Sequence, residues 1–144
     1  MQLKKSKRSI KFLVIHCTAT PEGREHSVAD IDRWHKQRGF TEIGYNYVIQ
    51  LDGTIQTGRD VDKTPAHVEG FNKESIGITY VGGVDKSTFR PKDTRTEAQK
   101  KALTLLLKEL RKLYPTAQIL GHRDFPNVKK ACPSFEAKNE YKNI

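Results

Sequence analysis

The chain has 144 residues, of which 35% are hydrophobic and 30% charged, the balance of one soluble globular domain long enough to bury a core. No stretch approaches the roughly 18 consecutive apolar residues of a membrane span, so no membrane insertion is expected. The net charge of +9 favours polyanionic partners but does not choose among nucleic acid, anionic lipid and a carboxylate- and phosphate-rich cell wall.

In chain order, residues 1–8 form a basic run that predicts a frayed tail, ending at about residue 10. The apolar run Phe12 to Ile15 is too short for the hydrophobic part of a signal peptide. Synthesis in the cytoplasm is therefore expected, with any work outside needing another exit route. Lys11 to Ile15 reads as a buried strand that ends on His16. Ser27, with Asp30 three residues later, predicts a capped helix carrying Val28, Ile31 and Trp34–His35 inward, and Gly39 stops it. Tyr45 to Leu51 reads as a strand, Asp52-Gly53 as a hairpin turn, and Thr54 to Thr57 as the returning strand. Residues 58–74 show no periodicity and predict a long surface loop, a length that is often functional. Ser75 to Val81 reads as a buried strand ended by Gly82-Gly83. Thr96 with Gln99 caps the clearest helix, whose apolar face runs Ala98, Ala102, Leu106, Leu110 and Leu113, widened by Leu103 and Leu107; Pro115 ends it. Gln118 to Leu120 reads as a short strand, and a final short helix is expected over 134–141. Strands interleaved with helices, with one hairpin among them, predict a single α/β domain around a mixed sheet.

Three residues stand out chemically. His16 and His122 each follow a short apolar run, and Cys132 lies in the loop Lys129-Lys130-Ala131-Cys132-Pro133. Two imidazoles and one thiolate are the protein ligands of a catalytic zinc site that keeps a fourth position open. A ligand at the end of a buried strand is rigidly held, and Lys129 and Lys130 favour the thiolate. Spacing alone leaves this open: there is no HExxH and no CxxC, and more than a hundred residues separate His16 from His122. Two strand-end histidines and an inert thiol fit the same pattern. Cys17 neighbours His16 on a strand, so its side chain should face the opposite way, as a small core residue. One distant cysteine pair does not make a disulfide framework; either both thiols are free or at least one is a ligand.

The strings Val-Ile-His16-Cys-Thr-Ala-Thr, Ile43-Gly-Tyr45-Asn-Tyr-Val-Ile, Asp52-Gly-Thr-Ile, Ser75-Ile-Gly-Ile and Lys130-Ala-Cys132-Pro-Ser-Phe occur in this order. Together they resemble the zinc-dependent N-acetylmuramoyl-L-alanine amidases of the phage lysozyme type and the related peptidoglycan recognition proteins, from about Phe12 to Phe135. The resemblance implies a catalytic domain over 11–144 that uses one zinc ion held by His16, His122 and Cys132. It implies Tyr45 and Lys130 as catalytic residues, and hydrolysis of the amide between the lactyl group of N-acetylmuramic acid and L-alanine in peptidoglycan. By residue type alone, Tyr45 reads rather as a packed aromatic with a satisfied hydroxyl, and Lys130, beside Lys129, as a solvated charge. The resemblance also implies a substrate-lining position for His67, in the long loop. His35 lines the cleft or buttresses the core, and Thr18 contacts substrate or bonds backbone locally. Arg123 and Asp124 adjoin a ligand and are placed to support it, whereas His26 reads as a surface residue.

His122-Arg-Asp-Phe looks more like the recognition-protein and bacterial amidase version of the motif than the phage version, and no wall-binding module is evident. A recognition module of the same fold that binds without cutting is disfavoured by the presence of Cys132, Tyr45 and Lys130. A zinc-stabilised nucleic-acid binder is disfavoured by dispersed basic residues without a nucleic-acid motif. The expected partner is peptidoglycan, with no specific nucleic acid, and the expected state is a monomer. Delivery to the wall would follow holin-like release or specialised export.

Overall fold

The computed structural model describes all 144 residues. Its centre is β1 (Phe12–Cys17), and the period-2 alternation of that strand divides the molecule. Leu13, Ile15 and Cys17 enter the main core, whereas Val14 joins a smaller cluster with Val68, Leu120 and Phe125 on the other face. His16 shares the Val14 face and ends it. After β1 come β2 (Thr20–Pro21), α1 (Val28–Gln37), β3 (Tyr47–Ile49), β4 (Ile55–Thr57), β5 (Ser75–Tyr80), β6 (Gly83–Val84), α2 (Glu97–Leu113), β7 (Gln118–Gly121) and the single-turn α3 (Ala137–Glu140). The main sheet has the order β4-β3-β5-β1-β7. Its four inner-to-edge strands β3, β5, β1 and β7 run parallel, and β4 returns antiparallel to β3. β2 and β6 form a separate parallel pair. The α/β class with a mixed sheet is as the sequence predicts.

Parallel strands are buried on both faces, so helices must cover each. α2 covers the main-core face with Leu103, Leu106, Leu107 and Leu110, all fully buried. Each such leucine stabilises by about 1.5–3 kcal/mol relative to exposure. α1 covers the opposite face, where Ile31 packs with Ile43, Val48 and Val81. Both capping boxes form: Ser27 Oγ accepts from the Asp30 amide at 3.1 Å, and Thr96 Oγ1 from the Gln99 amide at 3.0 Å. Thr96 Oγ1 also donates to the Leu51 carbonyl at 2.7 Å, which anchors the start of α2 to the hairpin. The hairpin turn uses Gly53 at φ +87°, and a side chain there would also strike the Ala98 carbonyl.

Two expectations need correction. Residues 1–10 are not a frayed tail. The Ser6 amide donates to the Tyr114 hydroxyl at 2.7 Å and Ser6 Oγ to the Val61 carbonyl at 2.6 Å. Arg8 donates to the carbonyls of Val61, Lys73 and Ser75, and Ile10 is buried. These partners lie more than 50 residues away in sequence, out of reach of any local pattern. Nor is the 58–74 loop merely superficial. Arg59, Val61 and Val68 are buried, and the Arg59 guanidinium donates to the carbonyls of Ile43, Thr64 and Glu42 at 2.9, 2.8 and 3.0 Å. A buried arginine satisfied by carbonyls supplies the backbone partners this irregular loop lacks.

Candidate metal centre and its cleft

The C-terminal ends of parallel strands collect functional groups in α/β sheets, and this sheet does so. β1 delivers His16, and His122 follows directly on β7, its neighbour. Cys132 arrives from the loop beyond. The Arg123 amide donates to the Cys132 carbonyl at 2.9 Å, and the buried Tyr80 hydroxyl donates to the Pro133 carbonyl at 2.6 Å. Asp124 accepts from the Gly121 amide at 2.8 Å, bracing the turn that carries His122.

One donor atom from each of His16, His122 and Cys132 lies within 4.8 Å of the others. Donors from three separate segments that close together can share one ion, and an N,N,S set suits zinc. Burial, with the neighbouring His67 and His122, lowers the His16 pKa well below its ordinary value; burial and Lys130 lower that of His122. Both imidazoles are therefore neutral near pH 7, the form that binds a metal. The Cys17 thiol and burial hold the Cys132 thiol up, and Lys130 opposes them. A bound cation is what would make that sulfur a thiolate. The donor set present thus fits zinc. Cys17 itself turns into the main core, as expected, with its Sγ 3.9 Å from Ser134 Oγ.

The three residues lie in a cleft of about 560 Å³ that Tyr45, Lys130, His35, Arg38 and Glu69 also line. The Tyr45 ring centroid is 5.0 Å from that of His16. Burial, ahead of the two cysteines, pushes the Tyr45 phenol well above its ordinary pKa, so it stays protonated. Lys130 is exposed at the cleft mouth and borders a second hollow of about 740 Å³ lined by Glu69, Phe71, His122 and the Pro126–Lys130 loop.

The remaining sequence candidates separate here. Thr18 borders the cleft, but its Oγ1 accepts from the Gly82 amide at 2.9 Å and bonds Thr20 at 2.7 Å, so it ties backbone together. His35 is buried, and its Nδ1 accepts from the Gly44 amide at 2.8 Å, which positions the segment carrying Tyr45. Burial, then Arg38 and Arg59, lowers its pKa to about 4. His67 reaches the cleft but spends both ring nitrogens on protein, one on His16 at 2.7 Å and one on Ser75 at 2.8 Å. His26 is half-buried against Trp34 rather than free at the surface. Sequence reasoning missed Ser75, Arg38 and Glu69. Only Ser75, inside a quoted motif, carried any signal.

The profile of the N-acetylmuramoyl-L-alanine amidase family matches residues 6–135. The chain belongs to this family. The amidase is 40% identical over 136 residues to the endolysin of Enterobacteria phage K11, covering 94% of this chain and 87% of that one. Among solved structures, the N-acetylmuramoyl-L-alanine amidase LysC of Clostridium intestinale URNW superposes with a TM-score of 0.77 at 25% identity, over 98% of this amidase and 91% of LysC. Drosophila PGRP-LB shares the fold, with a TM-score of 0.76 at 24% identity over 99% and 85% of the two chains.

Proposed function

We propose that this amidase cuts peptidoglycan with one zinc ion held by His16, His122 and Cys132, and with Tyr45 and Lys130 as catalytic residues. The activity itself is that of its family: hydrolysis of the amide between N-acetylmuramic acid and L-alanine, the wall-degrading chemistry of an endolysin. The observation that carries the zinc reading is the closure of the three donors within 4.8 Å at the base of the cleft. When bound, zinc supplies Lewis acidity, polarising the scissile carbonyl and acidifying water.

The protein's own groups do the rest. Lys130, cationic at the cleft mouth, stabilises the negative charge that develops on the carbonyl oxygen. Tyr45, held protonated, donates a hydrogen bond to the attacking water or the developing oxyanion and does not act as a base. The stem peptide occupies the cleft between the Ala66–Glu69 segment and Lys130, continuing into the second hollow. The +9 charge adds attraction to an anionic wall. The enzyme acts as a monomer, and reaches the wall by holin-like release or specialised export. No helix is long and apolar enough to cross a membrane.

Digestion of purified sacculi tests the reading. New L-alanine amino groups on released stem peptides, with about one zinc per chain, are expected. New reducing sugar ends without such amines would refute it.

A further inference from the structure

His67 faces His16 across the floor of the cleft, with His67 Nδ1 2.7 Å from His16 Nε2. On its other side, His67 Nε2 lies 2.8 Å from Ser75 Oγ. Ser75 Oγ in turn donates to the Asn72 carbonyl at 3.3 Å. A carbonyl only accepts, so with the Ser75 hydroxyl proton on the Asn72 side the chain has a direction. In that arrangement Ser75 Oγ accepts from His67 Nε2–H. His67 Nδ1 then holds a lone pair and accepts from His16 Nε2–H. His16 is left with a lone pair on Nδ1, the nitrogen 3.8 Å from Cys132 Sγ.

The seat for His67 is built on purpose. The Asn72 side-chain oxygen accepts from the backbone amides of both His67 and Val68 at 2.9 Å. Gly77, two residues after Ser75 on β5, lies under the ring: a Cβ there would come within 2.8 Å of His67 Cδ2 and 2.9 Å of Cγ. The His67 and His16 rings meet edge to face, with centroids 4.8 Å apart. Ser75 is fully buried.

We infer that His67 and Ser75 are positioning residues that fix the tautomer of His16, so that its Nδ1 lone pair is presented to the metal. This rests on the zinc reading for its purpose but not for its geometry. A ligand histidine whose second nitrogen has a fixed acceptor is pre-oriented and more basic, and loss of such a partner typically costs 10–100-fold in metal affinity. His67 therefore acts through His16.

The test uses the full chain labelled with ¹⁵N. Long-range ¹H–¹⁵N correlations of histidine should show His16 protonated at Nε2 before zinc is added. In His67→Phe, which removes the acceptor, His16 should become a mixture of tautomers and zinc affinity by chelator competition should fall about 10–100-fold. His67→Gln, which keeps an acceptor oxygen, should recover part of that affinity. Ser75→Ala covers the case in which His67→Phe fails to fold, and should likewise weaken zinc binding. His16 protonated at Nδ1 in the wild type, or full zinc affinity in His67→Phe or Ser75→Ala, would overturn the inference. A wild-type chain that takes up no zinc yet shows His16 protonated at Nε2 would sink the metal reading and leave the relay supported.

Discussion

The amide of Arg123 donates to the carbonyl of Cys132 at 2.9 Å, joining the residue after one proposed ligand to another ligand nine positions on. This bond, with Tyr80 on Pro133, turns an irregular loop into a fixed support for the sulfur. Preorganisation of this kind would spare the proposed metal site the cost of ordering its ligands.

Tyr80→Phe removes a hydroxyl from a fully buried pair and leaves the Pro133 carbonyl unsatisfied. The expected loss is about 1–2 kcal/mol of stability, with weaker zinc uptake because the Cys132 loop loosens. Thermal unfolding and a zinc titration measure the two effects. Unchanged zinc affinity would show that the loop does not need this anchor. Cys132→Ala, by contrast, should lose zinc and activity together.

Lys130→Ala should retain zinc while turnover falls by about 100-fold, the order expected for one stabilising donor at a developing oxyanion. The effect should appear in kcat rather than KM. Metal analysis alongside hydrolysis of a muramoyl-peptide substrate separates the roles, and normal turnover would remove Lys130 from the mechanism.

Tyr45→Phe should lower kcat by about 100-fold with zinc retained. Because burial raises the phenol pKa, Tyr45 stays protonated through pH 10 and contributes no basic limb to the rate profile below that pH. The pH–rate curves of wild type and variant should therefore keep the same shape and differ only in height. A basic limb that vanishes in the variant would mean that Tyr45 ionises during turnover.

Arg95, buried at 2% exposure, donates to Glu140 at 2.7 Å, Asp93 at 2.9 Å and the Tyr141 hydroxyl at 2.9 Å, and lies 3.4 Å above the Phe135 ring. It clamps the segment just after Cys132 to the start of α2. The hydrogen bond from Arg95 lowers the Glu140 pKa below its ordinary 4.5. The unfolded chain therefore takes up this proton first as pH falls. The stabilisation is complete above about 4.5 and is lost as pH drops through the depressed folded value. Glu140→Gln should cost about 1 kcal/mol at neutral pH, a figure reduced for the exposure of the carboxylate. It should also flatten the acid limb of stability. Denaturant unfolding from about pH 7 to about pH 3 reads both, and identical acid sensitivity in the two proteins would contradict the clamp.

What the sequence determined by itself was local. Ser27 with Asp30 and Thr96 with Gln99 announce helix starts because cap and partner lie three residues apart. The alternation along Phe12–Cys17 already assigned His16 and Cys17 to opposite faces. The order of the motifs pointed to the family, and with it to His16, His122 and Cys132. Tertiary structure decided what depends on distant partners. Docking of residues 1–10, the Arg59 clamp, and the role of His67 beside a histidine 51 positions away have no periodic trace. Hydrogen-bond direction is likewise invisible in a string of letters. The proposed relay from His16 through His67 and Ser75 to a backbone carbonyl exists only because the folded sheet brings those groups into line.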